Sequence, residues 1–282
     1  MRKIIRYGQF YRHSDARLIQ RFRCDICKRG FSQATADPCY LQNKRQFNFR
    51  IYQLLCSGVS QRRAAWILNL NRKTIVRKFI FLAEQAKLSL EAMNLAFHPA
   101  TEMQFDDVET FEHTKCKPLS ITLAVESGTR RILGFRVSQI AAKGPLAAIA
   151  FKKYGPREST RSQARQDLFA ELRNLVSETA VIKSDQDPHY PPDVKLFFPK
   201  GEHLNFKGRK GAVTGQGELK KIGFDPIFSL NHTAAMLRAN MNRLFRRTWC
   251  TTKKPERLAC HLMLYSVFHN EMLLEKALSK AN

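Results

Sequence analysis

The segment Thr101–Thr110, TEMQFDDVET, constrains this chain more than any other. Met103 and Phe105 alternate with polar neighbours, the pattern of a half-buried β-strand. At its centre stand two adjacent carboxylates, Asp106 and Asp107. Acidic residues oppose strand propensity and lose hydration when the strand packs, so something must compensate them. A divalent cation is one such partner, because magnesium favours one or two carboxylates together with phosphate oxygens. An acidic strand end facing water is the other reading, and the rest of the chain bears on the choice.

Charge bears on it first. The 282 residues carry 48 Lys and Arg against 24 acids, a net +24. Residues 1–98 hold 19 basic and 5 acidic side chains, a local +14. Basic residues spread this way mark a polyanion binder, with nucleic acid the foremost candidate. No isolated Lys-rich tail or lipidation motif favours an anionic membrane surface instead. No run approaches the roughly 18 uncharged apolar residues of a membrane span, and MRKIIRYGQFYRHSD lacks the apolar core of a signal peptide. The expectation is an intracellular protein of about two or three small domains, with 44% apolar residues to fill their cores.

Seven cysteines are present, and an odd number in such a chain argues against a disulfide framework. Only Cys24 and Cys27 have metal-ligand spacing. RFRCDICKRGFS, residues 21–32, reads as one knuckle of a zinc ribbon, with Gly30 allowing the tight turn after it. A ribbon needs a second ligand pair, and His13 and Cys39 are the nearby donors. Two readings stay open over residues 1–45: a bound zinc, or a ribbon-shaped remnant whose first knuckle is missing.

Residues 46–98 read as an all-α helix-turn-helix unit. QFNFRIYQLLCSG ends at Gly58, SQRRAAWILNL is capped by Ser60, and NRKTIVRKFIFLAEQAK is capped by Asn71. Arg72, Lys73, Thr74, Arg77 and Lys78 fall on the first two turns of the last helix, where a major-groove reader carries its contacts. A three-helix bundle with a solvated basic face is the alternative. Residues 88–100 read as a connector.

From residue 99 the pattern turns to β. The acidic strand, PLSITLAVE (118–126) and RILGFRVSQIAA (131–142) are spaced as an antiparallel meander. A basic linker leads to a helix over 161–178. The strand AVIKS then delivers Asp185 at its end, with Asp187 close behind. Lys200–Leu230 has neither Walker A nor GxGxxG spacing and reads as a loop, solvated or touching DNA. LNHTAAMLRANMNRLFRRTWCTTKK (230–254) reads as a helix. Asn231, Arg238 and Asn242 fall within about 20–40° of one another on it, and Arg243, Arg246 and Arg247 make its last turns basic. A final packing helix spans roughly 255–279.

The order of zinc-ribbon knuckle, helix-turn-helix and acidic β-domain resembles bacterial insertion-sequence transposases. The most specific match lies in Leu237-Arg238, Arg243-Leu244 and Arg246-Arg247-Thr248, which resemble the C-terminal signature of the smallest such elements. The resemblance implies an α+β chain whose residues 99–282 form a ribonuclease-H-like DDE-type domain. It implies Mg²⁺ or Mn²⁺ at Asp106, Asp185 and the position of the third acid, and a bacterial, nucleoid-associated location. Its partners would be terminal inverted repeats and target DNA, with the protein a homo-oligomer on DNA. Asn231 stands where the family places Glu, with a coordinating carbonyl but no charge; Glu218 is the nearest upstream acid. A non-catalytic DNA-binding regulator of the same descent is the alternative.

Overall fold

The structure, a computed structural model, describes residues 3–13, 15–207, 225–245 and 250–281. Its first part is a three-stranded antiparallel sheet of β1 (Ile4–Arg12), β2 (Arg17–Cys24) and β3 (Gly30–Ser32), in that order. Three helices follow: α1 (Asn48–Cys56), α2 (Gln61–Ile67) and α3 (Arg72–Ala96). Both expected caps form. The Ser60 hydroxyl accepts from the Arg63 N–H at 3.2 Å, and the Asn71 side-chain oxygen Oδ1 accepts from the Lys73 N–H at 2.8 Å.

Helix α3 runs well beyond the expected connector boundary at residue 88. Buried Ala86, Leu90 and Asn94 keep one face packed through those turns. The Asn94 amide also donates to the Leu133 carbonyl at 3.0 Å, tying the helix end to a strand of the following sheet.

A mixed five-stranded sheet occupies the second half. Its strands are β4 (Ala100–Phe111), β5 (Pro118–Glu126), β6 (Ile132–Gln139), β7 (Val176–Asp185) and β8 (Glu202–Phe206), in the spatial order β6-β5-β4-β7-β8. The β4–β5 and β5–β6 pairs are antiparallel; β4–β7 and β7–β8 are parallel. The chain departs from sequence expectation between them. The basic linker holds a helix, α4 (Leu146–Tyr154). Helix α5 (Arg161–Leu172) ends six residues early, because Val176–Ser177–Glu178 already belong to β7. Helix α6 (Tyr190–Phe197) opens on a proline pair that suits a first turn. Strand β8 lies inside the stretch expected as a loop.

Helix α7 (Phe228–Asn240) stops short of the expected residue 254. Met241 leaves the helical region at φ −104°, ψ 110°, and Asn242–Leu244 make a 3-10 turn. Asn242 therefore does not share a helix face with Asn231 and Arg238. The chain closes with α8 (Pro255–Ala281).

Each face of the sheet carries its own core. On one side Met103, Phe105, Phe169, Ile182 and Tyr190 pack together under α5 and α6. On the other, Ile121 and Leu123 of the sheet join Ile51, Leu55, Ile75 and Phe79 of α1–α3 through Leu237, Leu262 and Tyr265. The basic helices and the sheet thus share one hydrophobic core across the sequence boundary at residue 98. His261 of α8 strengthens the joint with a 2.8 Å hydrogen bond to the Leu55 carbonyl.

Leu262 is fully buried at this junction. Leu262→Ala is expected to lower the unfolding free energy by about 2–5 kcal/mol. Hydrogen–deuterium exchange should then rise in α3 and in β5 together. A rise confined to one of them would contradict the shared core.

Candidate active site

Parallel pairing brings the two separated acids together. Met103 pairs with Ile182 and Gln104 with Lys183. Asp106 and Asp185 lie two residues beyond this last pair on their strands, on the same side by alternation, and close enough for the charge of Asp185 to act on Asp106. Local sequence fixes both ends of the arrangement. Buried Phe105 and Val108 hold β4 in register around Asp106. Beyond β7, the Asp185 carboxylate accepts from the Asp187 N–H at 3.1 Å and turns the chain out of the strand.

The four carboxylates fall into two kinds. Asp107 faces the opposite way from Asp106. Its oxygens accept from Thr122 Oγ1 at 2.5 Å and Tyr190 OH at 3.1 Å, and Arg161 Nε lies 3.5 Å away. Arg161 Nη2 also meets Asp187 at 2.8 Å. Burial pushes the Asp187 carboxyl up, but the His189 N–H and Arg161 outweigh it and hold it below the usual range. Asp106 and Asp185 have no cation within 4.0 Å among the described residues. Burial, then the charge of Asp185, pushes Asp106 up to about 7, although the Asp107 N–H at 2.7 Å and Tyr190 OH at 3.1 Å bond its Oδ1. Asp185 is also raised, chiefly by burial. Arg161 thus pairs with Asp107 and Asp187, one positive charge against two negative, and its charge also reaches Asp185, while Asp106 and Asp185 themselves form no ion pair among the described residues.

Tyr190 and Arg161 were not evident from the sequence as parts of this site. Tyr190 is held by its ring, 4.8 Å from that of Phe105, and by α6. The buried Arg165 anchors α6, donating from Nε to Asp193 Oδ2 at 2.7 Å and from Nη2 to the His189 carbonyl at 3.1 Å.

A further buried residue, Gln104, draws the start of α7 onto the Asp106 side of β4. Its side chain accepts from Leu230 N–H at 3.0 Å and donates to the Pro226 carbonyl at 3.3 Å. Asn231 follows immediately, exposed on the first turn. Its amide donates to Asp225 Oδ2 at 2.8 Å, while Asp225 Oδ1 accepts from the Ile227 N–H at 3.1 Å. No hydrogen bond joins Asn231 to Asp106 or Asp185 among the described residues. Asp225 is a carboxylate that sequence spacing did not single out. Arg238 is exposed two turns on, and with Arg243 it lines a cleft of about 300 Å³.

On α3, Arg72, Lys73 and Arg77 are exposed and Thr74 is half-buried. Lys78 departs from its expected place. It is 4% exposed and donates to Asn48 Oδ1 at 2.7 Å and Gln42 Oε1 at 3.0 Å, so it joins α3 to the preceding segment. Arg243 is turned inward as well, its guanidinium 5.5 Å from the Phe79 ring centroid. Arg246, Arg247 and Glu218 lie outside the described residues.

Cys24 and Cys27 do form a knuckle-like turn. Lys28 N–H bonds the Cys24 carbonyl at 2.9 Å, and the Cys27 and Ile26 N–H groups hold the Cys24 thiol below its usual range. The other donors do not join it. Cys39 sulfur accepts from the Asn48 amide, and the His13 ring packs edge-on against Tyr11. Among the described residues no group of three or more His, Cys, Asp or Glu is arranged for a metal ion, so the described donors do not complete a zinc ribbon. Asp106 and Asp185 are an oxygen pair, which suits magnesium because that ion retains several waters. Nor is any described helix long and apolar enough to cross a membrane.

A scan against protein-family models returned no match, and a search of curated proteins found no matching relative.

The raised Asp106 has a consequence for the metal-free protein. The folded state keeps a proton that the unfolded chain has already lost above about pH 4. Stability present below that pH is therefore expected to fall as pH rises through about 7. Urea unfolding in EDTA should show this loss in wild type and a smaller loss in Asp106→Asn. Equal pH profiles in the two would contradict the assigned environment.

Proposed function

We propose that the protein is a DNA transposase of ribonuclease-H-like fold, which binds the terminal inverted repeats of its element and cleaves and joins DNA at Asp106 and Asp185. One observation carries the reading: two acids stand on adjacent parallel strands with the charge of one acting on the other, and with no cation within ion-pair reach among the described residues. The sheet order supports it, with an antiparallel meander followed by two parallel strands. The basic first turns of α3, packed on the same core as the sheet, supply a means of holding a specific duplex.

Asp106 and Asp185 would hold Mg²⁺ or Mn²⁺; of two divalent ions bound there, one would activate a water or 3′-hydroxyl and the other would stabilise the leaving oxygen. The protein's own groups set the site. Tyr190 bridges Asp106 and Asp107 and fixes the rotamers of both. Arg161 pairs with Asp107 and Asp187 and offsets one of their two negative charges, so the four-carboxylate cluster stays anionic. Gln104 holds the start of α7, which carries Asn231, against β4. Arg72, Lys73, Thr74 and Arg77 face the terminal repeat, and Arg238 faces a phosphate near the reacting strand. The protein acts as a homo-oligomer on DNA that holds both repeats and the target.

The regulator reading keeps one specific observation in its favour. Asn231 brings no charge, and its amide is engaged by Asp225.

Strand transfer on the element's own ends with Mg²⁺ or Mn²⁺ separates the two readings. Asp106→Ala and Asp185→Ala are expected to abolish cleavage and transfer while end binding persists. Asn231→Ala should be inactive, and Asn231→Glu should keep activity at a lower metal concentration. Joint replacement of Arg72, Lys73 and Arg77 by Ala should remove specific end binding and lower the salt slope by up to about three. Transfer retained by either Asp variant rejects the catalytic assignment, and an inactive wild type that binds its ends favours the regulator.

A further inference from the structure

Helix α4 presents a face that the fold does not use. Phe151 is 65% exposed and Tyr154 41% exposed, one turn apart on the same side of the helix. Beside them opens a cleft of about 420 Å³ lined by Ala141, Ala147, Ala150, Phe151, Tyr154 and Arg157. Two ammonium groups crowd a single ring: Lys117 Nζ lies 4.6 Å and Lys153 Nζ 5.5 Å from the Tyr154 centroid. Neither lysine has a carboxylate within 4.0 Å among the described residues, and the nearby Glu109 and Glu112 are engaged by Lys143 and Arg157. Two ammonium groups around one ring, with no ion-pair partner among the described residues, make this rim favourable for an anion.

We propose that this face binds unpaired DNA: a base stacks on Phe151 or enters the adjoining cleft, and its phosphate lies between Lys117 and Lys153. The combination of aromatic faces with a cationic rim fits single strands, whose bases are free to stack; a duplex hides those faces. The position fits the same ligand. Residues 155–160 join α4 directly to Arg161, which contacts Asp107 and Asp187. The platform and the candidate active site are thus neighbours along the chain, with six residues between them. Its role in guiding a reacting end rests on the transposase reading; the binding itself does not.

The test uses full-length protein and a short single-stranded oligonucleotide carrying 2-aminopurine, with a blunt duplex as control. Wild type should quench the probe on binding. The double variant Phe151→Ala, Tyr154→Ala removes only exposed rings. It should lose the quench and weaken single-strand affinity about fivefold or more, with duplex affinity unchanged. Phe151→Tyr should retain both. Unchanged quench and affinity in the double variant overturn the proposal. So does a shift from dimer to monomer in light scattering with single-strand affinity intact, since a second copy would then cover this face. Strand transfer measured alongside keeps the two ideas apart. Loss of the quench in the double variant supports the platform even where wild type transfers no strand, and that result counts against the catalytic reading alone.

Discussion

Everything in the second half of this protein is arranged around one unfavourable juxtaposition. Parallel pairing of β4 and β7 brings Asp106 and Asp185 within reach of each other's charge, where both are half-buried. Two like charges at that spacing repel strongly in a low-dielectric setting. The chain lowers part of the cost with the Asp107 N–H and Tyr190 hydroxyl on Asp106. Among the described residues no ion pair offsets the remainder, while an arginine pairs with the two neighbouring carboxylates. A sheet built only for stability would place an apolar pair at this position. Retaining two acids is intelligible if a cation completes them.

The second organising feature is the core shared by α1–α3, α8 and one sheet face. Helix α8 supplies Leu262 and Tyr265 to that core, and His261 bonds a carbonyl of α1. The C-terminal helix is therefore the joint between the basic helices and the acids. Under the proposed function, such a joint fixes the direction in which a bound DNA end leaves α3. The inward-turned Arg243 belongs to the same joint, its guanidinium lying over Phe79.

Much of this was legible in the sequence because it is local. Strand β5 follows the apolar run Pro118–Glu126 to the residue, and the caps at Ser60 and Asn71 form as their side-chain chemistry requires. Asp106 and Asp185 were identifiable because acids inside or at the tip of apolar strands are costly. What was not legible depends on contacts distant in sequence. Lys78 has the spacing of a groove-facing residue, yet Gln42 and Asn48 capture it from another segment. Asp107 and Asp187 could be told from their neighbours only once Arg161 was placed. Gln104 in a strand carries no signal of its own, and its role appears when α7 docks on it. Helix α4 was missed because its apolar residues face outward, so its pattern has no buried stripe to reveal it.

The claim on which the account depends is that Asp106 and Asp185 together bind a divalent metal. The direct test is iron-mediated backbone cleavage, with Fe²⁺, ascorbate and peroxide generating cuts beside the bound ion. The account predicts cuts clustered in β4 around Asp106 and at the end of β7 around Asp185, suppressed by excess Mg²⁺ and absent from Asp185→Asn. Cleavage confined to other segments, or unchanged by Mg²⁺ and by the substitution, would contradict it.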